Sequence, residues 1–148
     1  MKDASQAHLY FSAECFNRTW ALMDKPDRTS GEDEQMRAAC HASLWHWLQR
    51  ADCAAQNLSI GYWQLSRVYA LLGNAGEARH YGELCRQVSR DETPFYQAYA
   101  QEALARAALV GQDRAALQQH LEAACRLAGQ VTGPDERAML EKDLGTLS

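Results

Sequence analysis

Apolar residues recur along the chain at the spacing of one helix face, and no alternating run is long enough for a strand. Tyr62, Leu65 and Tyr69, for example, form one stripe. Stop and start signals then divide the chain into helices. Helix one runs from about Ala4 to Met23 and stops at Asp24-Lys25-Pro26-Asp27. Ser30-Gly31-Glu32-Asp33 reads as a capping box, opening a second helix from Glu32 to about Asp52. A third spans about Leu58 to Leu72, with Asn57 as its cap and Gly73 closing it in the left-handed conformation. Asn74 with Glu77 opens helix four, which extends to about Ser89. Thr93-Pro94 starts helix five, which ends at Gly111; Asp113 caps helix six, and Gly133-Pro134 starts a short seventh. The short connections at Gly73 and Gly111 demand antiparallel neighbours.

The second half also repeats: 38 residues separate Gly73 from Gly111 (111 − 73) and Ala78 from Ala116 (116 − 78). The same step back from Ala78 reaches Cys40 on helix two. One hairpin carries Tyr62, Leu65-Ser66, Tyr69, Gly73 and Ala78; the next carries Ala100, Ala103-Leu104, Ala107, Gly111, Ala116 and Ala123. The first matches only in its second helix, at Cys40, Leu44 and Trp47, because the 24–31 insertion breaks its turn. On these residues the chain resembles the tetratricopeptide-repeat superfamily, in degenerate form and with a longer period than usual. The resemblance implies an all-α fold: a right-handed superhelical stack of about three antiparallel helical hairpins plus a C-terminal capping helix. The expected organisation is one domain over 1–148, with hairpins at about 4–52, 58–89 and 94–129 and the cap at about 134–146.

Composition narrows the function classes. Hydrophobic residues make up 47% of the 148 and charged residues 23%, a globular rather than disordered balance. A formal charge of −4 without a basic stripe argues against nucleic acid and anionic membranes as partners. No apolar run approaches the length of a membrane span, and no apolar signal stretch follows Met1. The cysteines, Cys15, Cys40, Cys53, Cys85 and Cys125, form an odd set without a CxxC pair, which points to reduced thiols and a cytoplasmic location. No cofactor motif is present, and no pairing of cysteine with histidine has the context of an activated nucleophile.

Three segments carry candidate chemistry. Trp63 and Arg67 lie four apart and share a face. By resemblance to tetratricopeptide domains that face lines a concave groove, with Glu14 and Arg18 on helix one and Gln101 and Ala105 on helix five at the matching positions. Such a groove would hold a peptide segment or another anionic partner, since arginine beside an indole suits a carboxylate. The alternative is that Trp63 packs between hairpins while Arg67 pairs with Glu14 or Asp24. The second segment is helix two, where Asp33, Glu34, Cys40, His41, Trp45, His46 and Trp47 crowd together. His41 and His46 are five apart and diverge around the helix, so they do not form a chelating pair. Glu34 and His41 do share a face, and a pocket of Asp33, Glu34, His41 and His46 with Arg67 is the alternative site, open to a small molecule, a metal or an enzymatic role. An aromatic-rich packing helix with satisfied histidines is the plainer account. The third is the 24–31 loop, longer than a turn needs; Glu32-Asp33-Glu34 would repel an anion there, which favours a solvated connection.

The expected function is therefore a non-catalytic binding or scaffold module with a protein or peptide partner and no bound metal. Self-association is a further expectation, because helix one carries Leu9, Tyr10, Phe11, Phe16, Trp20 and Leu22, more apolar surface than one neighbour covers.

Overall fold

The computed structural model describes residues 3–148; Met1 and Lys2, with which the expected domain opens, lie outside the described residues. Among the described residues the chain forms seven α-helices and no strand: α1 (Ser5–Met23), α2 (Ser30–Gln49), α3 (Ala55–Leu71), α4 (Ala75–Val88), α5 (Pro94–Val110), α6 (Arg114–Ala128) and α7 (Pro134–Gly145). The closest packed pairs are α1–α2, α3–α4 and α5–α6. The second helix of each hairpin leans on the first helix of the next, and α7 lies across α5 and α6. The result is a stack of three helical hairpins with a terminal helix, and no helix is long and apolar enough to cross a membrane.

Local chemistry moves several boundaries from their expected positions. Helix two is capped one residue earlier than Ser30: Thr29 Oγ1 accepts from Glu32 N at 3.1 Å, and Glu32 Oε1 accepts from Thr29 N at 3.0 Å. Glu32 is long enough to reach back to the cap, whereas Asp33 is shorter and instead accepts from Arg28 Nε at 2.7 Å. The same Arg28 donates to the carbonyls of Leu22, Met23 and Lys25, so the 24–29 loop is tied to the C-terminal end of α1. Helix two stops at Gln49 rather than Asp52, because Arg50 turns extended, stacks 3.8 Å over Trp47 and donates to Asp52 and to Ser12 Oγ. Helix three starts at Ala55, and Asn57 sits inside it, accepting from Ala54 N at 2.9 Å.

The repeat itself advances by one residue more than its glycines suggest. Asn74 caps α4 and Asp113 caps α6, each accepting from the amide three residues on. The residues in the left-handed conformation are Gly73 (φ +76°) and Gln112 (φ +58°), not Gly73 and Gly111. Burial follows the same register: Ser59, Leu65, Ser66 and Val68 on α3 correspond to Ala98, Leu104, Ala105 and Ala107 on α5. The working step is thus the 39 residues that separate Trp63 from Glu102. Gly111 serves packing instead: a Cβ there would come within 3.2 Å of Ala75 Cβ and 3.3 Å of the Ala107 carbonyl. Between the first two hairpins the second helices are offset by 42 residues (78 − 36) instead: the buried Met36, Cys40 and Ser43 recur as Ala78, Gly82 and Cys85, so the counterpart of Cys40 is Gly82 rather than Ala78. At Gly82 a Cβ would meet Leu104 at 3.0 Å, which is how α4 and α5 cross so closely.

Candidate functional site

The corrected register puts two similar pairs, Trp63/Arg67 on α3 and Glu102/Arg106 on α5, at equivalent positions of neighbouring first helices. Within each pair the residues are four apart and share a face. The two pairs meet directly. Glu102 is fully buried and accepts from Trp63 Nε1 at 2.9 Å on one oxygen. Its other oxygen accepts from Arg67 Nη2 at 2.7 Å and from Arg106 Nε and Nη2 at 2.9 and 2.7 Å. A buried carboxylate is tolerated only when paired and hydrogen-bonded in this way. Arg106 continues to Thr146 Oγ1 at 2.7 Å and to the Asp143 carbonyl at 3.3 Å, tying the end of α7 to the same node.

Above this node lies a concave pocket of about 520 Å³. Trp20 of α1 stacks on Trp63 with ring centroids 5.7 Å apart, and Tyr99 of α5 meets the edge of Trp63 at 5.6 Å. Phe95 extends the aromatic wall, 5.1 Å from Tyr99. The mouth is edged by Asp24, Ile60, Met139 and Lys142. Tyr99 donates to Asp143 Oδ2 at 2.7 Å; burial, and then the negative carboxylate it serves, push its phenol far above the ordinary range. Tyr99 is therefore a fixed proton donor, not an acid-base group at neutral pH.

The local charges cancel. Arg67 and Arg106 balance Glu102 and Asp143, with Arg67 also 3.8 Å from Asp143. Asp24 and Lys142 balance at the mouth. Arg67 spreads over Trp63 at 4.9 Å and is one of the residues lining the pocket.

Of the residues expected in the groove, only Trp63 and Arg67 line this pocket. The first is 9% exposed, with its ring edge in the core and its face toward Trp20. Arg67 pairs with Glu102 and Asp143 rather than with Glu14 or Asp24. Glu14 and Arg18 bond one another, Nε to Oε1 at 3.3 Å, on the outside of α1. Gln101 Oε1 accepts from His120 Nδ1 at 2.8 Å, toward α6. The one-residue error in period explains this: it rotates the α5 position by about 100° and substitutes Gln101 for Glu102. Trp20, Tyr99, Glu102, Arg106 and Asp143 were missed; for Glu102 and Arg106 the available signal was the step between the caps Asn74 and Asp113.

The helix-two residues do not gather around one point. His41 Nε2 lies 2.7 Å from Tyr69 Oη, and His46 Nδ1 lies 2.9 Å from His8 Nδ1. Asp33 pairs with Arg28 and Glu34 with Arg37, while Arg67 belongs to the Glu102 node. Among the described residues no group of three or more His, Cys, Asp or Glu side chains is placed to hold a metal ion. Cys40 and Cys85 are buried, and burial pushes their thiols up to about 12 and about 11, the protonated and unreactive form. Compared with protein-family models, with curated proteins and with solved structures, the chain gives no significant match.

Proposed function

We propose that the chain is a non-catalytic binding module whose concave pocket seats a bulky apolar or aromatic side chain of a partner peptide. The observation that carries this reading is the wall of Trp20, Trp63, Phe95 and Tyr99 around a pocket whose charges already cancel. A net anion would have to compete with Glu102 and Asp143 for Arg67, whereas an apolar side chain displaces water from aromatic faces at no such cost. The unused N–H groups of Arg67 then suit a neutral acceptor, the carbonyl of the peptide backbone. A second, smaller and mostly apolar pocket lies between α1, α2 and α3, lined by Ala13, Phe16, Asn17, Trp47, Asn57 and Gly61, and it shares Ile60 with the first. The two together offer adjoining seats for neighbouring anchors. The likeness to tetratricopeptide stacks agrees with a groove along the first helices, but the aromatic pocket stands without it.

Selection of binders from a random peptide display library tests the proposal. Enriched peptides should carry a large apolar or aromatic residue, and their binding should quench or shift the tryptophan fluorescence. Ile60→Arg and Met139→Arg obstruct the mouth from partly exposed positions and should abolish that binding without lowering the melting temperature. Peptides that bind both variants as well as the parent chain would refute the pocket as the site.

A further inference from the structure

On the side of α1 turned away from the pocket, the first hairpin presents a connected run of aromatic rings. Tyr10 meets Phe11 at 5.0 Å, Phe11 meets His46 at 5.5 Å, and His46 meets Trp45 at 5.2 Å, with His8 5.4 Å from Trp45. Tyr10, Phe11 and Trp45 are 60%, 43% and 54% exposed, and Leu9 and Leu48 flank them. Scattered exposed apolar residues are ordinary, but a contiguous aromatic face on two adjacent helices marks an interaction surface.

We infer that this face joins two copies of the chain about a two-fold axis that sets α1 antiparallel to its partner. The pattern along α1 fits its own reversal. With the axis crossing α1 at Phe16, Glu14 faces Arg18 of the partner subunit and Arg18 faces Glu14 of the partner subunit. The same register sets the large ring of Phe11 against Ala21 of the partner subunit, a small exposed residue that makes room for it. Glu14 and Arg18 now make only an exposed contact within one helix, 3.3 Å long, so both remain free to exchange partners. Self-complementarity of this kind is what a two-fold interface requires, since each residue meets the same surface reversed.

The area is sufficient. α1 and α2 contain 19 and 20 residues. At about 1.5 Å per residue and about 10 Å between axes they present on the order of 550 Å². Two such faces bury about 1,100 Å², at the threshold for a specific association and consistent with a dimer of modest affinity. The Glu14–Arg18 exchange flanks the axis and sets the register, and the aromatic cluster of each copy supplies an apolar contact farther out on either side of it.

Sedimentation of the full chain over a range of micromolar concentrations, together with charge reversal, tests the inference. The parent chain should show a reversible monomer–dimer equilibrium. Glu14→Arg alone and Arg18→Glu alone should each weaken the dimer about tenfold or more, because each places like charges opposite one another. An equimolar mixture of the two variants should regain dimer as a heterodimer, in which every cross-axis pair is again opposite in sign. Arg18 is exposed and Glu14 half-buried with its carboxylate at the surface, and circular dichroism of each variant should match the parent. A parent chain that stays monomeric up to concentrations on the order of 100 micromolar, well above the micromolar range tested, overturns the interface. So does a dimer unmoved by either reversal, and so does a mixture that fails to recover it.

Discussion

Glu102 shows how much one side chain can depend on its surroundings. On sequence alone it is an ordinary glutamate four residues before an arginine, a pattern that usually decorates an exposed helix face. In the fold it has no exposed surface and accepts four N–H donors from Trp63, Arg67 and Arg106. Glu102→Ala should cost about 3–5 kcal/mol in urea unfolding, because it leaves two guanidinium groups without their shared counter-ion. Glu102→Gln keeps an acceptor for the Trp63 indole and should cost less; equal losses would mean that the charge contributes little. His41 is a second residue whose environment decides its chemistry. Burial lowers its pKa, with Glu77 raising it and Arg37 lowering it by smaller amounts, and His46 is lowered by burial and then by His8. The unfolded chain therefore takes up these protons first as pH falls. Stability should be full above about pH 6.5, the ordinary histidine value, and should decline as pH drops below it. Urea midpoints measured from about pH 7.5 to about pH 5.5 check the sign, and His41→Gln with His46→Gln should flatten the slope.

At the scale of elements, the helices form where apolar spacing and end signals agree, and the errors fall at the ends. Thr29 and Ser30 both stand three residues before an acid, and side-chain length alone favours Thr29 with Glu32. The turn after α5 is more informative. Its glycine lies one position before the left-handed residue, since Gly111 is needed for the close approach of Ala75. Gln112 is left to adopt φ +58°, a conformation that costs an L side chain about 1 kcal/mol. Gln112→Gly should relieve this and stabilise the chain by about 0.5–1 kcal/mol, read as a rise in the urea midpoint at unchanged slope. No gain would mean that the Gln112 side chain compensates its backbone. Reading Gly111 as the equivalent of Gly73 also shortened the repeat by one residue. That shift moved the expected α5 site residue about 100° around the helix, from Glu102 to Gln101.

Across the whole molecule, the two proposed surfaces lie on different faces of α1: Trp20 turns toward the pocket, while Tyr10, Glu14 and Arg18 do not line it. Blocking the pocket with Met139→Arg should leave self-association unchanged, and Glu14→Arg should leave peptide binding unchanged. Helical class, the number of helices and their hairpin pairing were legible in the sequence, because periodicity, caps and short turns act over a few residues. Trp63 and Arg67 were legible as a pair for the same reason, being four apart on one helix. What no local pattern encodes is which side chains from separate helices arrive at one place. Trp20, Tyr99 and Asp143 reach the pocket from α1, α5 and α7, and only the packing of those helices brings them beside Trp63. The charge state of the site was decided in the same way. Arg67 reads as a free cation along the chain, and it becomes a neutralised one only because the crossing of α3 and α5 buries Glu102 against it.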